Sequence, residues 1–333
     1  MIGSGATAVT LVPELAKSAA HVTMLQRSPT YVAAWPDEDA IANGLRRHLS
    51  AKVACGIARW KNVLTGMYFY RICKNKPERA KAMILDGVRT ALGPDYDVGT
   101  HFTPRYNPWD QRLCLAPNGD LFKAIKERQT TVVTDEIETF TETGIKLRSG
   151  RELEADVVVT ATGLNLQAMG GAEIDIDGER VDPAGTLSYK GAMSSDVPNL
   201  AAVFGYTNAS WTLKADLICG YVCRLLNHME KRGYRQCTPR NTDPNIERLP
   251  AVEFTSGYFQ RAMDKLPKQG SRKPWRIYQN YVLDLVTFRL ATLDDGVLEF
   301  SGPSAGLDNP ARSPVGRTME DAGRTKEAKS IAQ

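Results

Sequence analysis

The opening of the chain constrains its fold more than any other stretch. It reads Met1-Ile2-Gly3-Ser4-Gly5-Ala6-Thr7-Ala8, followed by Val9-Thr10-Leu11-Val12-Pro13-Glu14-Leu15-Ala16. The pattern G-x-G-x-x-A joins the end of a strand to the start of a helix through a tight glycine turn. Gly3 permits the sharp bend, Gly5 lets a pyrophosphate approach bare backbone, and Ala8 is small enough for helix to pack on sheet. Phosphate oxygens would then face unpaired N–H groups at a helix N-terminus, where the macrodipole favours negative charge. A chain that opens this way is expected to build a parallel α/β sheet and to hold a dinucleotide against it.

The next residues narrow the ligand. His21-Val22-Thr23-Met24-Leu25 suits a second parallel strand and runs into Gln26-Arg27-Ser28-Pro29. An acidic residue at that strand end would bind the ribose hydroxyls of NAD, whereas Arg27 and Ser28 suit a 2′-phosphate. The expectation is NADP(H), with a solvent-facing arginine in an ordinary turn as the plainer alternative. Only Met1 and Ile2 precede Gly3, although a strand usually runs for about five or six residues. The sequence is therefore expected to begin inside a strand, as an N-terminally shortened piece of a longer protein.

The chain is 333 residues long, enough for two domains, and its net charge of +4 demands no nucleic-acid partner. Cys55, Cys73, Cys114, Cys219, Cys223 and Cys237 lack C-x-x-C spacing, which points to buried free thiols in a reducing compartment. His21, His48, His101 and His228 form no ligand pair at helical spacing, so no structural metal is expected. No signal peptide or long apolar run appears, so the expected location is the cytoplasm, or peripherally at a membrane.

After Pro29 the strand–helix rhythm gives way to a helix-forming stretch from Ala40 to about Leu92, with Asp37 or Asp39 as its N-cap and Gly93-Pro94 as its stop. Within it Ile57, Trp60, Val63, Leu64, Met67 and Tyr68 recur at helical spacing, flanked by basic residues that include Arg59, Lys61 and Arg71. This is expected to be a helical insertion packing on its own protein; weak association with a membrane surface is the second reading. The segment from Thr103 to Arg112 is an ordered loop, followed by a short apolar run at Leu113-Cys114-Leu115 and a helix from Leu121 to Glu127. Short strands follow at Val132-Val133, Ile137-Glu138-Thr139-Phe140, Gly144-Ile145-Lys146-Leu147 and Arg151-Glu152-Leu153, the last two joined by a Ser149-Gly150 turn. Asp156-Val157-Val158-Val159-Thr160 reads as a strongly buried strand running into Ala161-Thr162-Gly163. A hairpin is expected around Asp177-Gly178, a strand over residues 198–205, and a long helix over residues 213–231. Aromatic residues in 254–266 and 275–293 are expected to feed a packed surface, and residues 301–333 a disordered tail.

Taken together, the glycine turn, the Arg-Ser strand end, the helical insertion, an aromatic–proline loop ending in an arginine, the hairpin and D-V-V-V-T-A-T-G form an ordered set. It resembles the class B flavoprotein monooxygenases of the Baeyer–Villiger type over residues 1 to about 300. The resemblance implies an α/β fold: a Rossmann-like NADP-binding domain (residues 1–35 and 105–160) interrupted by the helical insertion (36–104), then the C-terminal part of a two-segment FAD-binding domain (161–300). It implies that Gly3, Ser4, Gly5, Ala6, Thr7 and Ala8 hold the NADPH pyrophosphate and Arg27 with Ser28 the 2′-phosphate. Arg112 matches the active-site arginine beside the flavin, which steadies a negatively charged peroxyflavin; a guanidinium is always charged and its fork fits an anionic oxygen. An internal pair with Asp110 is the plainer role for Arg112. Gln111 stands where the family often has a lysine on the cofactor phosphate. Thr162 and Gly163 match the return towards the FAD domain, and Asn208 and Trp211 a loop lining the flavin and substrate space. The cofactors implied are FAD and NADP, and the substrates O2 with a ketone, sulfide or thioamide. The family's earlier G-x-G-x-x-G turn for FAD is absent from these residues, so poor FAD binding by this chain is expected. The rivals are an N- or S-oxidising flavin enzyme, a flavin-free NADP-dependent reductase and a non-catalytic remnant.

Overall fold

The computed structural model describes residues 1–302. Its parallel sheet is organised around residues 1–3. On one side the Ile2 N–H donates to the Val159 carbonyl at 2.8 Å and the Ala161 N–H donates to the Ile2 carbonyl at 2.7 Å. On the other, the Gly3 N–H donates to the Leu25 carbonyl and the Leu25 N–H to the Met1 carbonyl, both at 2.8 Å. Strand β1 (Val22–Gln26) then pairs in parallel with β4 (Thr130–Thr134), Met24 lying opposite Val132. Strands β2 (Val32–Trp35) and β3 (Cys114–Pro117) form a second parallel pair. These bridges leave the glycine turn at the carboxyl end of a short extended segment flanked on both sides, where open α/β sheets place ligands.

Helix α1 (Ala6–Leu15) buries Ala8, Val9 and Val12. With β1, β3, β4, α6 (Asp120–Lys126) and the far end of α4 (Pro77–Leu92) it encloses one apolar core, built on Met24, Leu85, Val88, Leu121, Phe122 and Val132. The helix-forming stretch is three helices rather than one: α2 (Ala40–His48), α3 (Ala51–Asn75) and α4. Asp39 caps α2, accepting from the N–H groups of Ile41 and Ala42. Leu49 turns extended, and Lys76 leaves the helical region because it precedes Pro77, whose ring disfavours helical backbone at the residue before it. α4 ends at Gly93, whose φ of +94° reverses the chain.

On α3 the apolar stripe corrects the expected packing. Val63 alone of the stripe is buried, while Ile57, Trp60, Leu64 and Tyr68 stand exposed, Tyr68 to 65%. The short helix α5 (Val98–Phe102) precedes the loop leading to Arg112. Strands β5 (Ile137–Phe140), β6 (Gly144–Leu147) and β7 (Glu152–Glu154) form an antiparallel sheet, with Gly150 at φ +87° in the turn between the last two. Beyond it, Asp177 and Gly178 at positive φ join the expected small hairpin.

Two expected strands differ. Residues 156–160 are extended, but their bridge runs to Ile2 alone and Val157 is 75% exposed. A β-branched run signals a buried strand only where a second neighbour and a covering layer exist, and among the described residues neither lies there. Residues 198–205 likewise make one isolated bridge, between Met193 and Ala201. The long helix α7 (Trp211–Arg232) packs on α8 (Tyr281–Arg289) in a second core with Leu187, Tyr189, Tyr221 and Trp275. Strands Gln236–Pro239 and Leu298–Ser301 pair antiparallel beside it, so Ser301 belongs to the sheet. Residues 303–333 of the expected tail lie outside the described residues. Among those residues no helix is long and apolar enough to cross a membrane. All six cysteines are free; Cys73, Cys114 and Cys237 are buried, but Cys55, Cys219 and Cys223 are exposed, contrary to the expectation of burial.

Candidate functional site

A cleft of about 820 Å³ opens where the glycine turn meets the Arg112 loop and the residues after Thr160. That volume lies within the range of small-molecule and cofactor sites, about 300–1,000 Å³. The turn has the geometry its sequence announces. Gly3 sits at φ +128°, and a β-carbon there would collide with the Ala161 carbonyl. A β-carbon on Gly5 would meet nothing within 4 Å, so the bare backbone at Gly5 borders open space. Ala8, in the first turn of α1, is fully buried. Gly5 caps α1 without a side-chain hydrogen bond, and the first intrahelical bond is Val9 N–H to the Gly5 carbonyl. The preceding N–H groups of the first turn are left for a ligand.

Ser4 donates its hydroxyl to the Ser28 carbonyl at 3.1 Å, tying the glycine turn to the end of β1. Arg27 and Ser28 line the same cleft, as do Gln111, Arg112, Thr162 and Gly163. Arg112 donates from Nη1 to the Thr207 carbonyl at 3.1 Å. Its rival role as the partner of Asp110 is taken by Lys74, whose Nζ donates to Asp110 Oδ1 at 3.0 Å. Arg112 therefore keeps donors free at the cleft.

Two residues of the sequence reading fall elsewhere. Asn208 lines a neighbouring cavity of about 330 Å³ with Arg59, Tyr206 and Tyr281, donating from Nδ2 to the Gln279 carbonyl at 3.0 Å. Trp211 lies against Phe204, ring centroids 5.1 Å apart, and is half exposed. The two cavities are linked through Thr207, whose carbonyl holds Arg112 and whose N–H donates to Gln279 Oε1 at 3.0 Å. Behind Tyr206 stands a buried cluster: Tyr206 donates its hydroxyl to Asp284 Oδ2 at 2.6 Å, and Lys214 Nζ donates to the same oxygen at 2.5 Å. Burial holds the Lys214 ammonium below its ordinary pKa against the pull of Asp284. Burial and the Asp284 charge both push the Tyr206 phenol up, so it remains protonated. The sequence reading missed Ser256, Gly257, Tyr258 and Arg261, which form another part of the cleft wall. No motif marks them; they arrive through Thr255, whose N–H donates to the Asp110 carbonyl at 2.9 Å.

Known proteins match the chain in sequence and in fold. The FAD-containing monooxygenase EthA of Mycobacterium tuberculosis is 55% identical over 302 residues, covering 90% of this chain and 62% of its own length. The chain is homologous to the FAD-containing monooxygenases. The probable FAD-binding monooxygenase AlmA of Acinetobacter baylyi is 46% identical over 302 residues, with 90% of this chain and 60% of AlmA covered. The chain thus spans about three fifths of the length of the curated FAD-containing monooxygenases it matches. Among solved structures, FAD-bound OTEMO superposes with a TM-score of 0.55 at 18% identity, covering 72% of this chain and 53% of OTEMO. An open form of cyclohexanone monooxygenase gives 0.53 at 20% identity, covering 72% and 55%. These likenesses show the fold: α/β, with Rossmann-like architecture. No protein-family profile matches the chain.

Proposed function

We propose that this chain carries the NADP(H)-binding part and the active-site arginine of a flavin-dependent monooxygenase. Such an enzyme would take a hydride from NADPH and insert one atom of O2 into a ketone, or oxidise a sulfur centre of a sulfide or thioamide. One observation carries the reading: the bare-backbone turn, Arg27 with Ser28, and an Arg112 that no carboxylate among the described residues holds all line one cleft. The residues fit a dinucleotide, because Gly5 faces open space and the first-turn N–H groups of α1 are free. They supply no second glycine cradle for the adenosine diphosphate half of a flavin.

In this reading the backbone of residues 3–8 holds the pyrophosphate and Arg27 with Ser28 the 2′-phosphate. Gln111 offers a neutral hydrogen bond in place of a charge, and Thr162 and Gly163 close the wall. Arg112, fixed by the Thr207 carbonyl, presents its remaining N–H groups to negative charge that develops on oxygen. A flavin, when bound, supplies the oxygen-activating redox chemistry. Homology to the FAD-containing monooxygenases supports that assignment. The test is a calorimetric titration of the chain with NADP⁺ and NAD⁺. Tighter binding of NADP⁺, weakened in Arg27→Ala, is expected; equal affinities would sink the reading. The exposed stripe on α3 supports a weak association with membrane surfaces as well. Flotation with anionic liposomes should carry a fraction of the chain upward, and its complete absence from the lipid layer would remove that part.

A further inference from the structure

We propose that Arg261 binds a phosphate group of the dinucleotide from a wall that sequence motifs do not mark. This rests on the dinucleotide reading of the cleft and adds a residue to it. Three guanidinium groups line the cleft, those of Arg27, Arg112 and Arg261. Among the described residues, none of the three has a carboxylate partner within ion-pair distance. The acidic residues of the lining are Asp135 and Glu136, and Glu136 is engaged by Arg148 at 2.7 Å. That leaves three guanidinium groups against the one carboxylate of Asp135, and the surplus of like charge around the cavity is relieved by a polyanionic ligand.

Arg261 is positioned for such a role rather than loosely displayed. Its Nη2 donates to the Leu164 carbonyl at 3.3 Å, which leaves its other N–H groups for a phosphate oxygen. Its segment is fastened at two places: Thr255 donates to the Asp110 carbonyl, close to Arg112, and Tyr258 packs against Gly163. Ser256, on the same wall and only 7% exposed, has a hydroxyl with no partner among the described residues. The wall is thus short of hydrogen-bond acceptors. A phosphate provides them, and a guanidinium fork suits it better than an ammonium.

The test is calorimetric titration of the wild-type chain, Arg261→Ala and Arg261→Lys with three probes: NADP⁺, adenosine 2′,5′-bisphosphate and ADP. Arg261 is exposed, and melting curves of the variants should overlay that of the wild type. Arg261→Ala should weaken NADP⁺ binding by roughly tenfold or more, with partial recovery in Arg261→Lys. A loss seen with the bisphosphate but not with ADP assigns Arg261 to the 2′-phosphate. A loss with ADP, alone or with both, assigns it to the pyrophosphate. Unchanged affinity for all three probes in Arg261→Ala overturns the inference while the dinucleotide reading stands. If the wild type binds none of them, both fall.

Discussion

Gly3 and Gly5 sit two residues apart and are glycine for different reasons, which makes them separable by measurement. At Gly3 the backbone holds φ +128° and a side chain would meet the Ala161 carbonyl. Gly3→Ala should therefore destabilise the fold by about 1–3 kcal/mol or more, read from denaturant midpoints. At Gly5 the backbone is extended, with φ −77°, and an added methyl group meets nothing. Gly5→Ala should cost under about 1 kcal/mol of stability, the ordinary difference between glycine and alanine at an N-cap. It should still weaken nucleotide binding by roughly tenfold, because the methyl group occupies the approach of the pyrophosphate. A Gly5→Ala variant that binds NADP⁺ like the wild type would show that the turn does not face the ligand. These residues were legible from sequence because glycine spacing reports a local backbone need. Arg261 was not, because its place in the cleft depends on a contact between Thr255 and Asp110 that lies far apart in sequence. Trp211 lies against Phe204 and Gly205, and nothing in the loop's composition chooses between that packing and a pocket wall.

Among the elements, the helical stretch between the two halves of the sheet is held by single polar residues as much as by apolar burial. Asp39 caps α2 and also accepts from Lys61 Nζ on α3 at 2.5 Å, joining two helices through one carboxylate. The Lys61 hydrogen bond first, and the Ala42 N–H next, pull its pKa from 3.8 to about 2. Because the folded value lies below the unfolded one, this contribution is complete above the ordinary value of 3.8 and is lost as pH falls through about 2. Helical circular dichroism of the wild type should fall across that window. Asp39→Ala should show less helix at neutral pH and a shallower acid step, whereas Asp39→Asn should keep the cap and lose only the step. Identical acid titrations for wild type and Asp39→Ala would dismiss the linkage. Period and caps made the start of α2, the stop of α4 and the span of α7 readable in advance; the breaks between α2, α3 and α4 and the outward turn of the α3 stripe were not, since periodicity defines a face without naming what covers it.

At the scale of the molecule, two apolar cores are joined by a segment that is extended yet uncovered. Val157 and Leu164 flank the end of the parallel sheet, Val203 and Trp211 stand near the second core, and all four are exposed. The same asymmetry appears in the ligand chemistry: one glycine cradle faces one cleft, and the sequence holds no second cradle of its kind. A nicotinamide dinucleotide needs one such cradle, and a bound flavin dinucleotide needs its own for the adenosine diphosphate half. The chain alone should therefore retain NADP⁺ and fail to retain FAD through gel filtration. Absorbance at about 450 nm, where an oxidised flavin cofactor absorbs, measures the second half of that statement directly. Stoichiometric flavin on the purified chain would mean that the exposed face around Val157 and Leu164 can close on a cofactor without a glycine turn. Absence of flavin together with NADP⁺ binding would separate the two nucleotide sites. The hydride-donor site would then be whole on this chain, while its residues towards the flavin reduce to Arg112 and the wall that holds it.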